Sequence, residues 1–233
     1  MPAPSRKPPT RATRRRRDDA PAAGESPTAP PRRRREQEVL DIAARLFHER
    51  GYAHTSVQDI ADELGILKGS LYHYIEVKED LLFRLLEQLH DDTREILEAA
   101  AAAEGLTPLG RLELYVRRSV LFDLDNLSRV AVYYNEYERL SPERRSVIVQ
   151  RRRLHERWVA GLLAQAQADG HADALLDPGV VSNFIHGTVI WTYRWYRPRG
   201  RVSREKVADQ CVAFVMRGVV GTPGASGVTL NGA

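Results

Sequence analysis

The sequence predicts an all-α protein of about nine helices, an N-terminal three-helix unit followed by a larger helical body. Three observations predict it. Apolar residues recur at three- and four-residue spacing through residues 36–221, with no convincing strand and no internal repeat. Cap-and-proline pairs at Thr107–Pro108, Ser141–Pro142 and Asp177–Pro178 mark helix starts. Gly51, Gly65, Gly105 and Gly170 mark stops or turns. The 233 residues are 42% hydrophobic, ordinary for a soluble globular chain. No apolar run approaches the ~18 residues of a membrane span, which predicts no membrane partner.

Taken in order, residues 1–31 hold eight of the 13 prolines and no aromatic residue. Such a segment buries too little apolar surface to offset the entropy of ordering, so a disordered tail is expected. Its arginines precede no apolar stretch, which argues against a secretory signal. Arg32, Arg33, Arg34 and Arg35 lead into the first helix, where Val39, Leu40, Ile42, Ala43, Leu46 and Phe47 keep helical spacing. A second helix is expected with Thr55 as N-cap and Gln58 completing a capping box, and with Ile60, Ala61 and Leu64 inward. The third contains "KGSLYHY", with Leu71 and Ile75 four apart and inward. A long fourth helix runs from Lys78 to about Ala103. Helical segments then start at Thr107, at Ser128 ("SRVAVYYNEYERL"), at Ser141, at Asp177 and at Ser203, and a Gly-rich tail is expected from Thr222.

Within residues 57–76, Ala61, Gly65 and Leu71 stand where a helix-turn-helix needs a small residue, a turn and an apolar lock. Lys68 and Tyr72 share a face with Ser70 and His73 beside them. Lysine reaches guanine edges, and serine and tyrosine hold phosphates, so this face suits a DNA major groove. Ser56 and Gln58 are placed to anchor phosphates at the start of the preceding helix. Spacing alone also fits a plain helical bundle with polar tyrosines facing solvent.

The fuller stretch "GYAHTSVQDIADELGILKGSLYHYIEVKEDLL" closely resembles the DNA-binding signature of the tetracycline-repressor (TetR) family. The glycine-aromatic stop, the "TS" cap, "IA", "LGI", "KGSLYHY" and "KEDLL" are its hallmarks. The resemblance implies DNA contacts from Ser56, Gln58, Lys68, Gly69, Ser70, Tyr72, His73 and Tyr74. Lys78 matches the family's phosphate-binding lysine. It further implies a homodimer through the last two long helices, an inducer pocket among the central helices, and a palindromic double-stranded operator. Two reading heads in successive major grooves predict half-sites about 34–36 Å apart, or a multiple. One position departs: Leu67 stands where the family often has a capping Ser or Thr. The expected division is a tail at 1–31, a DNA-binding domain at 32–80, a ligand-binding and dimerisation domain at 81–221, and a tail at 222–233.

Charge adds what the motif does not. Residues 1–35 hold 11 basic and three acidic residues, a net +8, whereas the rest of the chain holds 24 basic and 28 acidic. Within residues 36–82 only Arg45, Arg50, Lys68 and Lys78 face ten acidic groups. A head at net −6 is poorly placed for attraction to phosphates. Two readings of Arg32–Arg35 stay open: an electrostatic arm reaching phosphates or a minor groove, or a solvated extension.

In the second half, residues 178–196 are apolar nearly all round, as a helix between a core and a partner should be. Gly187 permits close approach, and Val207, Cys211, Phe214 and Val215 make a matching stripe on the last helix. Aromatic residues gather here, and Tyr115, Phe122, Tyr134, Trp158, His186, Trp191 and Trp195 are candidate effector contacts as well as candidate core. In "WTYRWYRPRGR", Arg194 and Arg197 flank tryptophans, which suits a phosphate-bearing ligand with a stacking ring. A solvent-facing turn is the competing reading. The run resembles family members that regulate fatty-acid or steroid catabolism and respond to acyl-CoA thioesters, which implies such an inducer. A drug-efflux regulator sensing lipophilic cations, and a helical adaptor with an RNA-binding arginine tail, are the alternatives.

The seven histidines show no metal-ligand spacing, so no metal or cofactor is expected beyond a small-molecule effector. No nucleophile–base, paired-carboxylate or phosphate-loop signature points to an enzyme. The single cysteine, Cys211, fits a reducing cytoplasm and a packing role.

Overall fold

The structure, a computed structural model, describes residues 31–221, with side chains from Arg34 onward. The tails expected at either end, and the side chains of Arg32 and Arg33, lie outside the described residues. The described residues are all-α, and every helix read from the sequence is present: α1 Pro31–Arg50, α2 Val57–Glu63, α3 Lys68–Leu71, α4 Lys78–Ala101, α5 Pro108–Asp125, α6 Leu127–Glu136, α7 Pro142–Ala168 and α8 Pro178–Ile190. The segment read as one helix to Tyr196 breaks at Trp191, so a single turn, α9 Thr192–Trp195, precedes α10 Arg204–Val220. No helix is long and apolar enough to cross a membrane among the described residues.

The expected caps hold at Thr107 and Asp177, whose side chains accept from the Gly110 and Val180 amides; Ser141 stands at its N-cap position with no side-chain cap hydrogen bond, and Ser203 caps α10 by accepting from the Lys206 amide. The start of α2 is a correction. Ser56, not Thr55, is the N-cap, and Asp59, not Gln58, closes the capping box. Thr55 is buried instead, and its hydroxyl donates to the carbonyls of Gly51 (2.9 Å) and Leu46 (3.3 Å), tying the end of α1 to the start of α2. A threonine with a methyl to bury and a hydroxyl to satisfy suits that wedge, whereas the smaller serine stays at the surface where the cap must sit.

Two apolar cores form. The first joins α1–α4 through Leu46, Phe47, Ile60, Leu71 and Leu82, and takes in Val130 and Val132 of α6 and Ile148 of α7. The second is built from α5, α7, α8 and α10 around Leu112, Val116, Val159, Ile185, Ala208 and Val215. α10 packs on α5 and α8 on α7, while α1 and α4 both touch α6. Ionic contacts bolt α7 to the head: Arg144 pairs with Asp80, and Ser141 N–H donates to Glu79 at 2.9 Å. Arg151 reaches Glu87 at 2.9 Å and Asp91 at 3.1 Å.

Candidate nucleic-acid interface and internal cavity

The helix-turn-helix is held from beneath. Ile66 N–H donates to Ala61 O and Gly65 N–H to Asp62 O, both 3.0 Å, so α2 ends in a tight turn with Gly65 at φ +65°. That left-handed angle carries little strain for glycine. Leu71 and Ile75 are buried beneath α3, which leaves Lys68, Gly69, Tyr72 and His73 exposed and Ser70 and Tyr74 partly so. Ser56 and Gln58 stand exposed at the start of α2, the former hydrogen-bonded to Asp59 and the latter donating to Asp62 at 2.6 Å. Leu67 precedes α3 at 80% exposure, with no side-chain cap for the helix.

Lys78 and Arg35 have partners within the protein. The Lys78 ammonium donates to the carbonyls of Tyr52 and Thr55, both 2.9 Å, and sits 4.1 Å above the Tyr52 ring. Partial burial lowers its pKa. Arg35 pairs with Glu38 at 2.6 Å and reaches the Leu64 carbonyl, while Arg34 is exposed.

The body encloses a cavity of about 70 Å³ between α4, α5, α6, α7 and α8. Of the candidate effector residues, Tyr115, Tyr134 and His186 line it. Trp158 meets Tyr115 edge-on at 5.2 Å, and Phe122 packs against the first core. Trp191, Arg194, Trp195 and Arg197 are not brought to this cavity. They lie exposed on the outer side of α8 and α9, where Arg194 stacks 5.9 Å from the Trp191 and Tyr193 rings. Arg197 donates to the carbonyls of Arg194 and Tyr196 and so closes the end of α9.

Sequence reasoning missed most of the cavity's polar wall. His90 Nε2 is 3.0 Å from the Tyr133 hydroxyl, and the Tyr115 hydroxyl lies 3.4 Å from both His155 and His186. His186 is further held by the Ser182 carbonyl at 2.8 Å. Burial pushes His90 down to about 3 and His155 to about 4, and lowers His186, so all three are neutral near pH 7. Asp123 is buried at the cavity wall and pushed up to about 8, with desolvation the only cause. A signal for it existed. Leu112, Tyr115, Val116, Ser119, Val120 and Asp123 form one helical stripe, and an acid on an inward stripe is rare unless paired.

A second feature faces outward. α8 and α10 bury Ile185, Val189, Val207, Cys211 and Val215 in the chain's own core, yet leave Phe184 68% and Phe214 69% exposed. With Trp191, Trp195 and Gly187 these line an open apolar groove of about 1170 Å³. The stripe read from the sequence, Val207, Cys211, Phe214 and Val215, lines this groove as one face of α10, and Phe214 alone of the four is exposed.

A helix-turn-helix head packed onto a helical body that holds an internal cavity is the architecture of a DNA-binding regulator responsive to a small molecule. Residues 39–85 match the family described as bacterial regulatory proteins, tetR family, and residues 105–219 the tetracyclin repressor-like C-terminal domain. The chain belongs to the TetR family of ligand-responsive transcriptional regulators, DNA-binding proteins and not enzymes. It is 35% identical over 188 residues to the HTH-type transcriptional repressor KstR2 of Mycobacterium tuberculosis, covering 78% of this chain and 91% of that one. KstR2 of Rhodococcus jostii is 36% identical, with 78% and 89% covered. Among solved structures, the ketosteroid transcriptional regulator KstR2 of Mycobacterium tuberculosis superposes with a TM-score of 0.75 at 33% identity, covering 81% of this chain and 96% of that one. AibR in complex with isovaleryl coenzyme A and operator DNA gives 0.71 at 31% identity, with 77% and 97% covered.

Proposed function

We propose that this chain is a homodimeric repressor that binds a palindromic operator and is released by an acyl-CoA thioester. The cavity among α4, α5, α6, α7 and α8 carries the effector half of this reading. At about 70 Å³ it takes a short acyl group but not a nucleotide, so a thioester would leave its CoA portion outside. Its likeness to AibR, solved with isovaleryl coenzyme A, supports that class of effector. On the DNA side, Lys68, Gly69, Ser70, Tyr72 and His73 are the proposed groove-facing residues. Ser56, Gln58 and Tyr74 are proposed at its phosphate edges, and Lys78 as the group that fixes the loop before α2. The exposed groove of α8 and α10 is the proposed dimer seam, since a monomer rarely leaves two phenylalanines and two tryptophans in one open patch.

Selection from random duplexes tests the reading. Enrichment of an inverted repeat with half-sites one helical turn or a multiple apart is expected. Enrichment of single half-sites would overturn the dimer. Thermal shift against a short-chain acyl-CoA panel and a panel of lipophilic cations tests the effector. Stabilisation by the cations alone would replace the thioester with a drug-like ligand.

A further inference from the structure

The cavity wall holds a buried acid that makes no hydrogen bond. Asp123 is 8% exposed, on the inward stripe of α5, and burial acts on its carboxyl with no hydrogen bond or charge to offset it. Across from it on α6, the Tyr134 hydroxyl is enclosed and raised by burial and by Asp123 itself, again with no hydrogen bond. The other polar wall groups are already engaged: His90 with Tyr133, and Tyr115 with His155 and His186. Arg152, also at the wall, is the exception: it is ion-paired with Glu156 at 3.2 Å, but its buried Nε makes no hydrogen bond. An unpaired buried polar group costs the fold a large part of its desolvation, and native proteins keep few of them without a use.

We infer that Asp123 and Tyr134 form a subsite for an uncharged, hydrogen-bond-accepting oxygen, a ketone or hydroxyl carried on the part of the effector that enters the cavity. The chemistry excludes the rivals. A bare hydrocarbon would leave both groups as unsatisfied as they are now. An ammonium would have to ionise Asp123 while sharing the cavity with the Arg152 guanidinium. A carboxylate would carry a charge into a cavity where the Arg152 guanidinium is already ion-paired with Glu156. A carbonyl oxygen accepts from a protonated carboxyl and a phenol at once, and needs no change of charge in a closed space. The subsite sharpens the thioester reading but does not need the CoA portion. It concerns only which acyl or ring group the cavity prefers.

Small rings separate the two readings because they carry no CoA. Cyclopentanone and cyclopentane are titrated into the full chain, and binding is followed by amide NMR shifts of α5 and α6. Water holds the ketone more tightly than the hydrocarbon, so an apolar chamber alone favours cyclopentane. The expected result is the reverse, cyclopentanone bound at least ten-fold more tightly. The preference should be lost in Asp123→Leu, weakened in Tyr134→Phe, and largely kept in Asp123→Asn, which retains a donor. The apoprotein Tm should rise in Asp123→Leu, because an unsatisfied group has been removed from the interior. Cyclopentane preferred, equal binding, no binding of either ring, or Asp123-dependent preference for cyclopentylammonium would each overturn the subsite. So would a fall in Tm for Asp123→Leu, which would make the acid a structural partner. The matched thioesters acetoacetyl-CoA and butyryl-CoA then report on the wider reading. Failure of both, with the ketone preference intact, would overturn the CoA thioester and leave the subsite standing.

Discussion

Leu67 begins the recognition helix with a side chain that accepts nothing, and the helix it starts is only four residues long. Its first amides are left to water or to DNA. Leu67→Ser supplies the missing acceptor and gives up little burial, so stability should rise by roughly 0.5–1 kcal/mol, read from urea unfolding of the full chain. No gain would mean that the turn from Gly65 already satisfies those amides. At the same scale, the buried cavity groups set the pH dependence. Asp123 is raised from 3.8 to about 8, so the folded state holds a proton the unfolded chain has lost, and stability falls as pH climbs between those values. His90 and His155 are depressed to about 3 and about 4, so their contribution is lost as pH falls below 6.5. Two histidines outweigh one carboxyl on the acid side, and above pH 6.5 the carboxyl acts alone. Stability should peak near pH 6.5, and Asp123→Asn should flatten the decline toward pH 8 while leaving the acid limb. A decline toward pH 8 that survives this change would show that Asp123 is not its source.

At the scale of elements, periodicity and caps located every described helix but the single turn α9, because each of the others buries an apolar stripe. What it could not locate were features set by neighbours. Thr55 and Ser56 are both good caps in a peptide, and only the packing of Leu46 and Gly51 against Thr55 decides between them. Phe214 shares its stripe with Cys211 and Val215, yet it alone is left exposed, which spacing does not show. The candidate site was legible in the reading head, where a continuous motif supplies the residues. It was only partly legible in the cavity, where five separate helices supply them. The start of α1 carries a further expectation. Arg35 is already engaged with Glu38 and Leu64, whereas Arg34 is exposed, so an arm that offsets the head's net −6 would act through Arg34 and the residues before it. Neutralising Arg32–Arg34 to glutamine should weaken operator binding and reduce the slope of log affinity against log salt by about 0.9 for each phosphate no longer neutralised. An unchanged slope in a filter-binding series would remove the arm from the mechanism.

At the scale of the whole molecule, α6 joins the head's core to the cavity wall. Its Val130 and Val132 pack with the head, its Tyr133 and Tyr134 line the cavity, and its last residue, Glu136, accepts the Tyr52 N–H at 3.1 Å. Tyr52 in turn holds the Lys78 ammonium that fixes the loop before α2. A ten-residue helix with one side on the cavity and one end on the head's loop is placed to carry displacement from the first to the second. Such coupling is a free energy between two sites, typically ~1–3 kcal/mol, and it is reciprocal. Glu136→Ala cuts the link at the head without touching the cavity wall, whereas Glu136→Gln keeps an oxygen acceptor for Tyr52. In the alanine variant, affinity for the thioester giving the largest thermal shift should stay within two-fold of the parent. The ratio of operator affinities without and with that thioester should fall several-fold, and the glutamine variant should restore most of it. Reciprocity supplies an internal check, since thioester affinity measured with and without operator must change by the same factor. A ratio unmoved in Glu136→Ala would shift the linkage to α4, whose Leu82 sits in the head's core and whose His90 faces the cavity.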